Sequence, residues 1–288
     1  MATELPFQRI AVVGTGLIGG SFALAVRREL PNARLIGFDR GDVGERAVAR
    51  GAVHSAAPRI ADAVRDADLV YVAMPVGATI EALSAIAAAA SPNALVTDAC
   101  STKAAIGRAA ESHFKSGARF VGGHPMAGNE QPGIERADAD LFRGAAYAIT
   151  AREADPDPRV QAFALLVRAI GARPVWTDAD THDWAVSIVS HLPQMVSIAL
   201  ARVVQDETDE TGMPLALAGP GLQDLLRIAG SPYSLWRDIL LTNKDNISHA
   251  LDRLAQAIDY LRMNLANKDL ETEFREANEL YAAIRKPR

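Results

Sequence analysis

The sequence predicts an α/β protein in which a doubly wound parallel sheet is followed by an all-helical domain. Three observations carry this prediction. Strand patterns alternate with helical patterns over the first 177 residues, a glycine-rich turn joins the first strand to the first helix, and only helical patterns follow residue 177. We therefore expect two domains, 1–177 and 178–288, with their boundary near Thr177.

The alternating part of the chain has the rhythm of βαβ units. The run 69–74 is apolar on both faces, as in a central strand, and Pro75 ends it at the carboxyl edge of the sheet, where ligands bind in such folds. The predicted strands are 9–13, 34–38, 69–74, 94–97, 120–122, 147–150 and 174–177. The predicted helices between them are 17–30, 44–50, 60–65, 79–90, 103–114 and 159–170.

The last part of the chain predicts helices without strands. Pro193 lies within the first of these helices, and since a proline removes a backbone donor, we expect a break or kink there. A small helical domain attached to a nucleotide-binding domain commonly closes the substrate cleft and supplies a dimer interface, and we expect both roles here. The predicted helical segments are 181–205, 216–229, 234–242, 246–264 and 270–284.

The sequence GTGLIGGS, which begins at Gly14, has the spacing of a dinucleotide-binding turn. Gly14 permits the tight turn, Gly16 lets a pyrophosphate approach the backbone, and Gly19 lets the helix pack on the strand. The first helical amides, at Leu17 and Ile18, then face the diphosphate, and the helix dipole favours its charge. These features predict a Rossmann-type nucleotide-binding domain.

The second predicted strand ends at Asp39, about twenty residues after the last motif glycine. An acid at this position accepts hydrogen bonds from the adenosine ribose hydroxyls and repels a 2′-phosphate, so NAD is favoured over NADP. Arg40 follows directly and is able to hold such a phosphate, which leaves NADP as the minor alternative. Met74 and Pro75, at the end of the central strand, complete the predicted cofactor-binding residues.

Composition and charge restrict the function further. The 288 residues carry a net charge of −5 and show no basic run, which argues against nucleic-acid binding. The first strand begins close to Met1, and apolar stretches are interrupted by charge before the about 18 residues that span a membrane, so we expect neither a signal peptide nor membrane partners. Cys100 is the single cysteine, which fits a reducing cytoplasm, and no metal-binding spacing of histidines occurs.

Three polar segments are candidates for chemistry. In the first, Ser101 or Thr102 either caps the following helix or places a hydroxyl in the cleft. In the second, His124 lies among glycines after a strand, where it either shares a proton near neutral pH or bonds the loop backbone. In the third, His191 beside Pro193 either lines a cleft or is a buried structural residue. The segments are DACSTK at 98–103, GGHPMAGNE at 122–130 and SHLPQ at 190–194.

Together these segments resemble the prephenate/arogenate dehydrogenase family, and the resemblance extends over residues 10–265. The glycine motif is common to dinucleotide enzymes, whereas HPMAG and SHLP in that order, with WRDI downstream, are much more specific. The segments that carry the resemblance are GTGLIGGSFA at 14–23, the three polar segments above, and LQDLLRIAGSPYSLWRDILLTNKDNI at 222–247.

The resemblance implies the NAD-dependent oxidative decarboxylation of prephenate, in which a hydride leaves the carbinol carbon, the ring carboxylate departs as CO2 and the ring becomes aromatic. It implies that His124 binds the 4-hydroxyl and assists the loss of its proton, and that Ser101 orients this hydroxyl or the imidazole. It also implies that His191 lines the substrate pocket and that Arg227 binds a substrate carboxylate. Asp224, one helical turn earlier, either holds Arg227 or forms a surface pair with it.

Gln194 is expected among the substrate-binding residues. Because an amide forms no ion pair with the amino group of arogenate, Gln194 favours prephenate, with arogenate as the alternative. The resemblance further implies a monofunctional homodimer joined through the helical half, with Trp236 in the core or pocket wall and Arg237 in a buried ion pair.

Two interpretations outside this family stay open at the level of sequence. One is a dehydrogenase of β-hydroxy acids, which relies on an active-site lysine beside a glycine pair. The other is an NAD-binding sensor without catalysis, whose substrate half would be damaged. The candidate lysines for the first are Lys103, Lys115 and Lys244, none of which has the expected setting.

Overall fold

The computed structural model describes residues 5–128, 131–208, 210–268 and 270–285. Its strands are β1 (Arg9–Val13), β2 (Arg34–Phe38), β3 (Ser55–Ala56), β4 (Leu69–Val72), β5 (Leu95–Asp98), β6 (Arg119–Val121), β7 (Gly123–Pro125), β8 (Ala146–Ile149) and β9 (Arg173–Trp176). Its helices are α1 (Leu17–Glu29), α2 (Val43–Ala49), α3 (Ile60–Val64), α4 (Val76–Ala89), α5 (Ala104–His113), α6 (Pro158–Ala169), α7 (Ala179–Val186), α8 (Leu192–Glu207), α9 (Met213–Ala216), α10 (Pro220–Leu226), α11 (Tyr233–Thr242), α12 (Lys244–Met263) and α13 (Leu270–Arg285).

The strands β1 to β6 form a parallel sheet in the order β3-β2-β1-β4-β5-β6. Ile10 of β1 lies opposite Leu35 on one side and Leu69 on the other. The strand order reverses between β1 and β4, and the carboxyl ends of strands at such a switch point form a ligand-binding crevice. The predicted fold class, a doubly wound parallel sheet followed by helices, is confirmed.

The strands β7, β8 and β9 form a second sheet, in which β7 runs antiparallel to β8 and β8 runs parallel to β9. The sequence pattern placed all these strands in one parallel sheet, and that detail is wrong. The glycines and Pro125 of the segment 122–130 predict a turn there, whereas Gly123–Pro125 form strand β7 directly after Gly122. A Cβ on Gly123 would lie 2.6 Å from the Asp98 carbonyl oxygen, so the chain passes very close to β5 as it turns into the second sheet.

Aromatic packing joins the two sheets. Phe22 of α1 stacks on Tyr71 of β4, with 3.7 Å between the ring centroids. The Tyr71 hydroxyl lies 3.3 Å from that of Tyr147 in β8, whose ring packs edge-on against Phe163 of α6. All four rings are buried, so β7 and its histidine are held firmly against the carboxyl edge of the larger sheet.

The long helix of the second half does not break at Pro193. Instead a π-helical segment, Ser187–His191, joins α7 to α8, and the Leu192 amide donates to the Ser187 carbonyl five residues earlier. Pro193 has no amide hydrogen and so makes no α-helical hydrogen bond. The wider π-helical turn accommodates this loss, and the helix continues without a break. The expected break is thus replaced by a local widening, which turns His191 and Gln194 to the buried side of the helix.

The helix Ala179–Asp206, composed of α7, the π-helical segment and most of α8, has an unusual distribution of polarity. Its buried side carries histidine, aspartate, serine and glutamine, whereas the residues exposed between Trp184 and Ile198 are apolar. By length and composition alone it is able to cross a membrane, although only 28% of its most apolar stretch is buried. The expectation that no apolar stretch reaches this length is therefore wrong. The exposed apolar residues of this helix are Trp184, Ile188, Val189, Ile198 and Val203.

Candidate active site

The glycine turn after β1 has the geometry that its spacing predicts. Gly14 has φ +91°, and a Cβ there would lie 2.4 Å from the Ala73 carbonyl oxygen. A Cβ on Gly19 would lie 1.8 Å from the Gly14 carbonyl oxygen, so the helix start packs directly on the turn. A Cβ on Gly16, the N-cap residue of α1, would meet nothing within 4 Å. Gly16 therefore faces open space beside the first helical amides, where a diphosphate fits.

Asp39 lies beside this turn, at the carboxyl end of β2. Its Oδ2 accepts a 2.7 Å hydrogen bond from the Thr15 amide, and its Oδ1 accepts one of 2.7 Å from the Arg40 amide. The carboxylate is half-buried, whereas Arg40 is exposed. Oδ2 also accepts from the Thr15 hydroxyl at 3.3 Å, whereas Oδ1 keeps a further lone pair. Asp39 is therefore still able to accept a bond from a ribose hydroxyl while it holds the turn.

Met74 and Pro75 follow β4 at the neighbouring edge position. The Met74 carbonyl accepts hydrogen bonds of 3.2 Å from the Thr79 hydroxyl and from the Cys100 thiol. Pro75 is exposed and begins α4 as its N-cap residue. Burial raises the pKa of Cys100 to about 12, so this thiol is a structural donor beside the cofactor edge and not a nucleophile.

Helix α5 begins immediately beyond β5, and its first amides are capped from the other half of the molecule. The amides of Lys103 and Ala104 donate to the two carboxylate oxygens of Asp183 in α7, at 2.7 Å and 2.9 Å. The expected cap by Ser101 or Thr102 is wrong, because the distant Asp183 already fills that role. The Thr102 hydroxyl instead lies 2.8 Å from that of Thr242, and Ser101 is half-buried at the strand end.

Asp238 of α11 makes a second bond of this kind. Its Oδ2 accepts a 2.9 Å hydrogen bond from the Gly77 amide in the first turn of α4. Its Oδ1 accepts a bond from Arg237, whose side chain is 60% exposed. Arg237 therefore forms a surface pair and not the buried pair that was expected, and Asp238 itself joins the two halves.

A buried ion pair supports the strand that carries His124. The Lys103 ammonium donates to the Asp98 carboxylate and, at 2.7 Å, to the Gly123 carbonyl oxygen. Asp98 also accepts from the amides of Cys100 and Gly123. Both charges are fully paired, which fixes β7 against β5, and Lys103 is not available as a catalytic lysine.

His124 lies within β7 and is 9% exposed. Its Nδ1 lies 2.9 Å from Nε2 of His182, and His182 Nδ1 lies 2.8 Å from Oδ1 of Asp183. Burial, with the nearby charges of His182 and Lys103, holds the pKa of His124 well below its usual value of 6.5. His124 is thus neutral at neutral pH and able to accept a proton.

His191 lies on the π-helical segment, and its Nδ1 has a hydrogen-bonding environment opposite to that of His124 Nδ1. The Asn243 Nδ2 donates to the Asp183 backbone carbonyl at 2.7 Å and lies 3.2 Å from His191 Nδ1. Because this amide nitrogen faces a carbonyl, it is a donor, and His191 Nδ1 is the acceptor. Burial lowers the pKa of His191 to about 4, so the ring is neutral and carries its hydrogen on Nε2.

A cavity of about 470 Å³ opens beside His191, whose ring packs edge-on against Trp236. Gln194 is 2% exposed, and among the described residues its Nε2 and the Trp236 Nε1 are buried donors without a partner. Such donors require an acceptor, which a bound ligand would supply. The cavity is lined by Gly128, Val189, Ser190, Pro193, Gln194, Arg227, Ile228, Ser231 and Trp236.

The structure therefore brings only some of the predicted residues together. Gln194 and Arg227 line the cavity, Trp236 forms its wall, and His124 and His191 lie nearby in the buried network. The last two residues of the GGHPMAGNE segment, 129 and 130, lie outside the described residues.

Sequence reasoning missed several residues of the buried network. The expected site does not include His182, Asp183 or Asn243. The one sequence signal for the first two is an adjacent histidine and aspartate in the first helix after the last strand.

This fold and site define a class of enzyme. A parallel sheet of this strand order, with the glycine turn and the acid after β2, is the architecture of a dinucleotide-dependent oxidoreductase, and the neutral buried histidine lies at the same sheet edge. Two family models match the chain, "Prephenate dehydrogenase, nucleotide-binding domain" over residues 22–176 and "Prephenate dehydrogenase, dimerization domain" over residues 178–279. The chain belongs to the prephenate dehydrogenase family.

Individual relatives agree with this assignment. The prephenate dehydrogenase of Bacillus subtilis is 36% identical over 272 residues, which cover 92% of this chain and 72% of that protein. A solved prephenate dehydrogenase from A. aeolicus, in complex with hydroxyphenyl propionate and NAD+, has a TM-score of 0.89 at 28% identity and covers 98% of this chain and 100% of that one. The Synechocystis arogenate dehydrogenase has a TM-score of 0.79 at 31% identity, with 96% and 99% covered.

The different surroundings of Gly16 and Gly19 predict different effects of the same substitution. Gly19→Ala places a methyl group against the backbone of the turn, and we expect it to lower the free energy of unfolding by about 3 kcal/mol or more. Gly16→Ala should lower it by no more than about 1 kcal/mol. It should nevertheless weaken NAD binding about tenfold, because the methyl group occupies the space of the diphosphate. Urea unfolding measures the free energy of unfolding, and titration measures the affinity for NAD. Equal stability of the two variants would contradict the packing argument.

The lowered pKa of His124 predicts the pH dependence of turnover. We expect the neutral ring to be the active form, so that activity is lost as pH falls through the pKa of His124. Since burial holds that pKa well below 6.5 in the unliganded protein, kcat/KM should stay constant from neutral pH down to 6.5 and fall only in more acidic solution. A pH profile of kcat/KM, which reports the groups of the free enzyme, checks this. A midpoint near the ordinary histidine value would show that the ring is more hydrated than the structure indicates.

Proposed function

We propose that this chain catalyses the oxidative decarboxylation of prephenate to 4-hydroxyphenylpyruvate and CO2 with reduction of NAD, and that His124 is its catalytic base. The observation that carries the residue assignment is the buried, neutral His124 at the carboxyl edge of the sheet that the cofactor shares. Family membership supports the reaction. Biosynthesis of tyrosine is the corresponding role.

The residues around the glycine turn fit NAD. The amides of Leu17 and Ile18 begin α1 beside the open space at Gly16, and Asp39 lies at the turn with a remaining Oδ1 lone pair for the ribose. Met74 and Pro75 would border the nicotinamide at the end of β4. NAD, when bound, accepts the hydride that leaves the carbinol carbon.

His124 acts on the 4-hydroxyl of the substrate. Its free imidazole nitrogen takes the hydroxyl proton as the carbinol carbon is oxidised to a carbonyl. When CO2 departs, it leaves an electron pair in the ring, and the carbonyl withdraws this pair. The product oxygen then regains a proton as a phenol, and His124 returns to its neutral form. Ser101, half-buried at the end of β5, is assigned to orient the hydroxyl or the imidazole.

The cavity beside His191 is assigned to the substrate. Arg227 would bind one of its two carboxylates, because a guanidinium matches a carboxylate bidentately. The unpartnered donors at Gln194 and Trp236, together with the Nε2–H of His191, would serve the other polar oxygens. The described residues that line the cavity include no carboxylate, so none of them forms an ion pair with an amino group. This favours prephenate, while the likeness to an arogenate dehydrogenase keeps arogenate as the second candidate.

The direct test is NADH formation with prephenate and NAD, with arogenate and NADP measured in parallel. Turnover with prephenate and NAD is the expected result. Turnover with arogenate alone would overturn the argument from Gln194. A preference for NADP would show that Arg40 holds the 2′-phosphate and that Asp39 does not exclude it. Folded protein that binds NAD but turns over neither acid would contradict the proposed function.

Two variants separate the chemical step from substrate binding. His124→Asn should lower kcat by roughly 10²–10⁴-fold while the affinity for NAD stays unchanged, because the base is lost and the cofactor site is intact. Arg227→Ala should raise KM far more than it lowers kcat, because it removes an interaction made in the ground state as well. Steady-state kinetics and NAD titration measure both effects. An active His124→Asn enzyme, or an unchanged KM in Arg227→Ala, would remove that residue from its assigned role.

We further propose that the chain divides at residue 177 and that its helical half forms a homodimer in the cytoplasm. The apolar outer side of Ala179–Asp206 supports this, since large exposed apolar surfaces of soluble proteins mark interfaces. The match to a dimerization domain over residues 178–279 supports the same location. We propose neither a nucleic acid nor a membrane as a partner.

A charge on the outer side of α8 should separate the dimer. Val203 is 58% exposed, and Val203→Glu would bury a carboxylate in the interface, which is unfavourable without a partner charge. Leu165→Glu on α6, where an apolar residue is 42% exposed in the other half, is the matched control. We expect sedimentation equilibrium to give half the wild-type mass for the first variant and the wild-type mass for the second. A monomeric wild-type protein, or one that binds neutral lipid vesicles through this surface, would refute the dimer.

A further inference from the structure

A continuous hydrogen-bonded chain runs from a carboxylate of the helical half to the proposed base. Asp183 Oδ1 lies 2.8 Å from His182 Nδ1, and His182 Nε2 lies 2.9 Å from His124 Nδ1. His182 is 3% exposed and Asp183 is 2% exposed, so water does not compete for these bonds. Neither residue belongs to the expected substrate or cofactor contacts.

The donor and the acceptor of each hydrogen bond in this chain can be assigned by starting from Asp183. The Asp183 carboxylate accepts from the backbone amides of Lys103 and Ala104, which are donors only. A carboxylate that accepts there is an acceptor towards His182 as well, so His182 Nδ1 carries a hydrogen. In neutral His182, the Nε2 then has a lone pair, and the hydrogen between the two rings belongs to His124 Nδ1.

From this geometry we propose that His182 and Asp183 are positioning residues that hold His124 in the Nδ1–H tautomer, which leaves its Nε2 lone pair free to take the substrate proton. The inference rests on the proposed function, in which His124 is the base. When Nε2 takes a proton, the ring becomes an imidazolium whose Nδ1–H already donates to His182. No rotation of the ring is needed between the two states.

Among the residues that the structure describes, the other charged and titratable groups near His124 are engaged elsewhere and do not compete for Nδ1. The Lys103 ammonium donates to Asp98 and to the Gly123 carbonyl. The Nδ1 of His191 faces Asn243. His182 therefore sets the tautomer of His124, and the other tautomer would place a hydrogen on Nε2 and abolish its function as a base.

The test compares two replacements of similar shape at position 182. In His182→Gln the amide group donates to Asp183 and its oxygen accepts from His124 Nδ1–H, so the direction of the chain is kept. In His182→Met neither bond forms. We expect kcat to fall by about tenfold at most in His182→Gln and by about 100-fold in His182→Met, with KM and NAD affinity within about threefold of wild type. Equal losses in the two variants would overturn the inference, because packing and not bond direction would then be responsible.

The tautomer itself is observable by ¹⁵N–¹H correlation spectra of protein labelled at its six histidines. The His124 signals are those that disappear in His124→Asn. We expect a protonated Nδ1 and an unprotonated Nε2 in the wild type and in His182→Gln, and a mixture in His182→Met. A protonated Nε2 in the wild type would overturn the inference even if His124→Asn is inactive. A fully active His124→Asn enzyme would instead contradict the proposed function.

Asp183 has a matched control in Asp238, because both carboxylates cap a helix of the sheet half from the helical half. Only Asp183 contacts a histidine. Both Asp183→Ala and Asp238→Ala should lower the stability in thermal unfolding, Asp183→Ala more because Asp183 accepts from three N–H groups. Only Asp183→Ala should alter the His124 spectrum and lower kcat. A similar kcat in these two variants would assign Asp183 a purely structural role and overturn its part in the inference.

Discussion

The carboxylate of Asp183 is the interaction on which the site depends. It accepts the first amides of α5 and the ring of His182, so one buried side chain joins the helical half, the sheet half and the proposed base. A buried carboxylate is stable only when its oxygens are fully hydrogen-bonded, and here three N–H groups meet it. Any displacement of α7 from α5 would break these bonds together. The geometry of His124 is therefore tied to the docking of the two halves.

The same principle explains why two buried neutral histidines have opposite roles. His124 faces a ring nitrogen that accepts, whereas His191 faces an amide that donates. The first ring is left with an acceptor towards the substrate and the second with a donor, although burial lowers the pKa of both. Burial alone fixes the neutral charge state; the neighbour one bond away fixes the direction of hydrogen bonding.

The features that the sequence revealed are those whose causes are local. The glycine turn, the acid after β2 and the strand–helix alternation each depend on residues that are close in sequence, and the structure reproduces them. The cap of α5 was assigned to Ser101 or Thr102 by the same local logic, and it failed because Asp183 comes from 80 residues away. The pairing of His124 with His182 spans 58 residues, and no spacing rule encodes it. The π-helical turn before Pro193 was likewise invisible, because a proline signals a lost bond but not how the helix compensates.

The inverted polarity of Ala179–Asp206 links the active site to the proposed dimer. Its buried side supplies His182, Asp183, His191 and Gln194 to the site, so polar groups occupy the positions where a helix normally buries apolar ones. The apolar residues are consequently on the outside, where a monomer exposes them to water. Packing that outer side against a second copy would bury apolar surface. This burial would compensate for the polar residues that occupy the inner side for catalysis. Self-association would then stabilise the helix that carries the positioning residues, and the two sides of one helix would serve catalysis and assembly together.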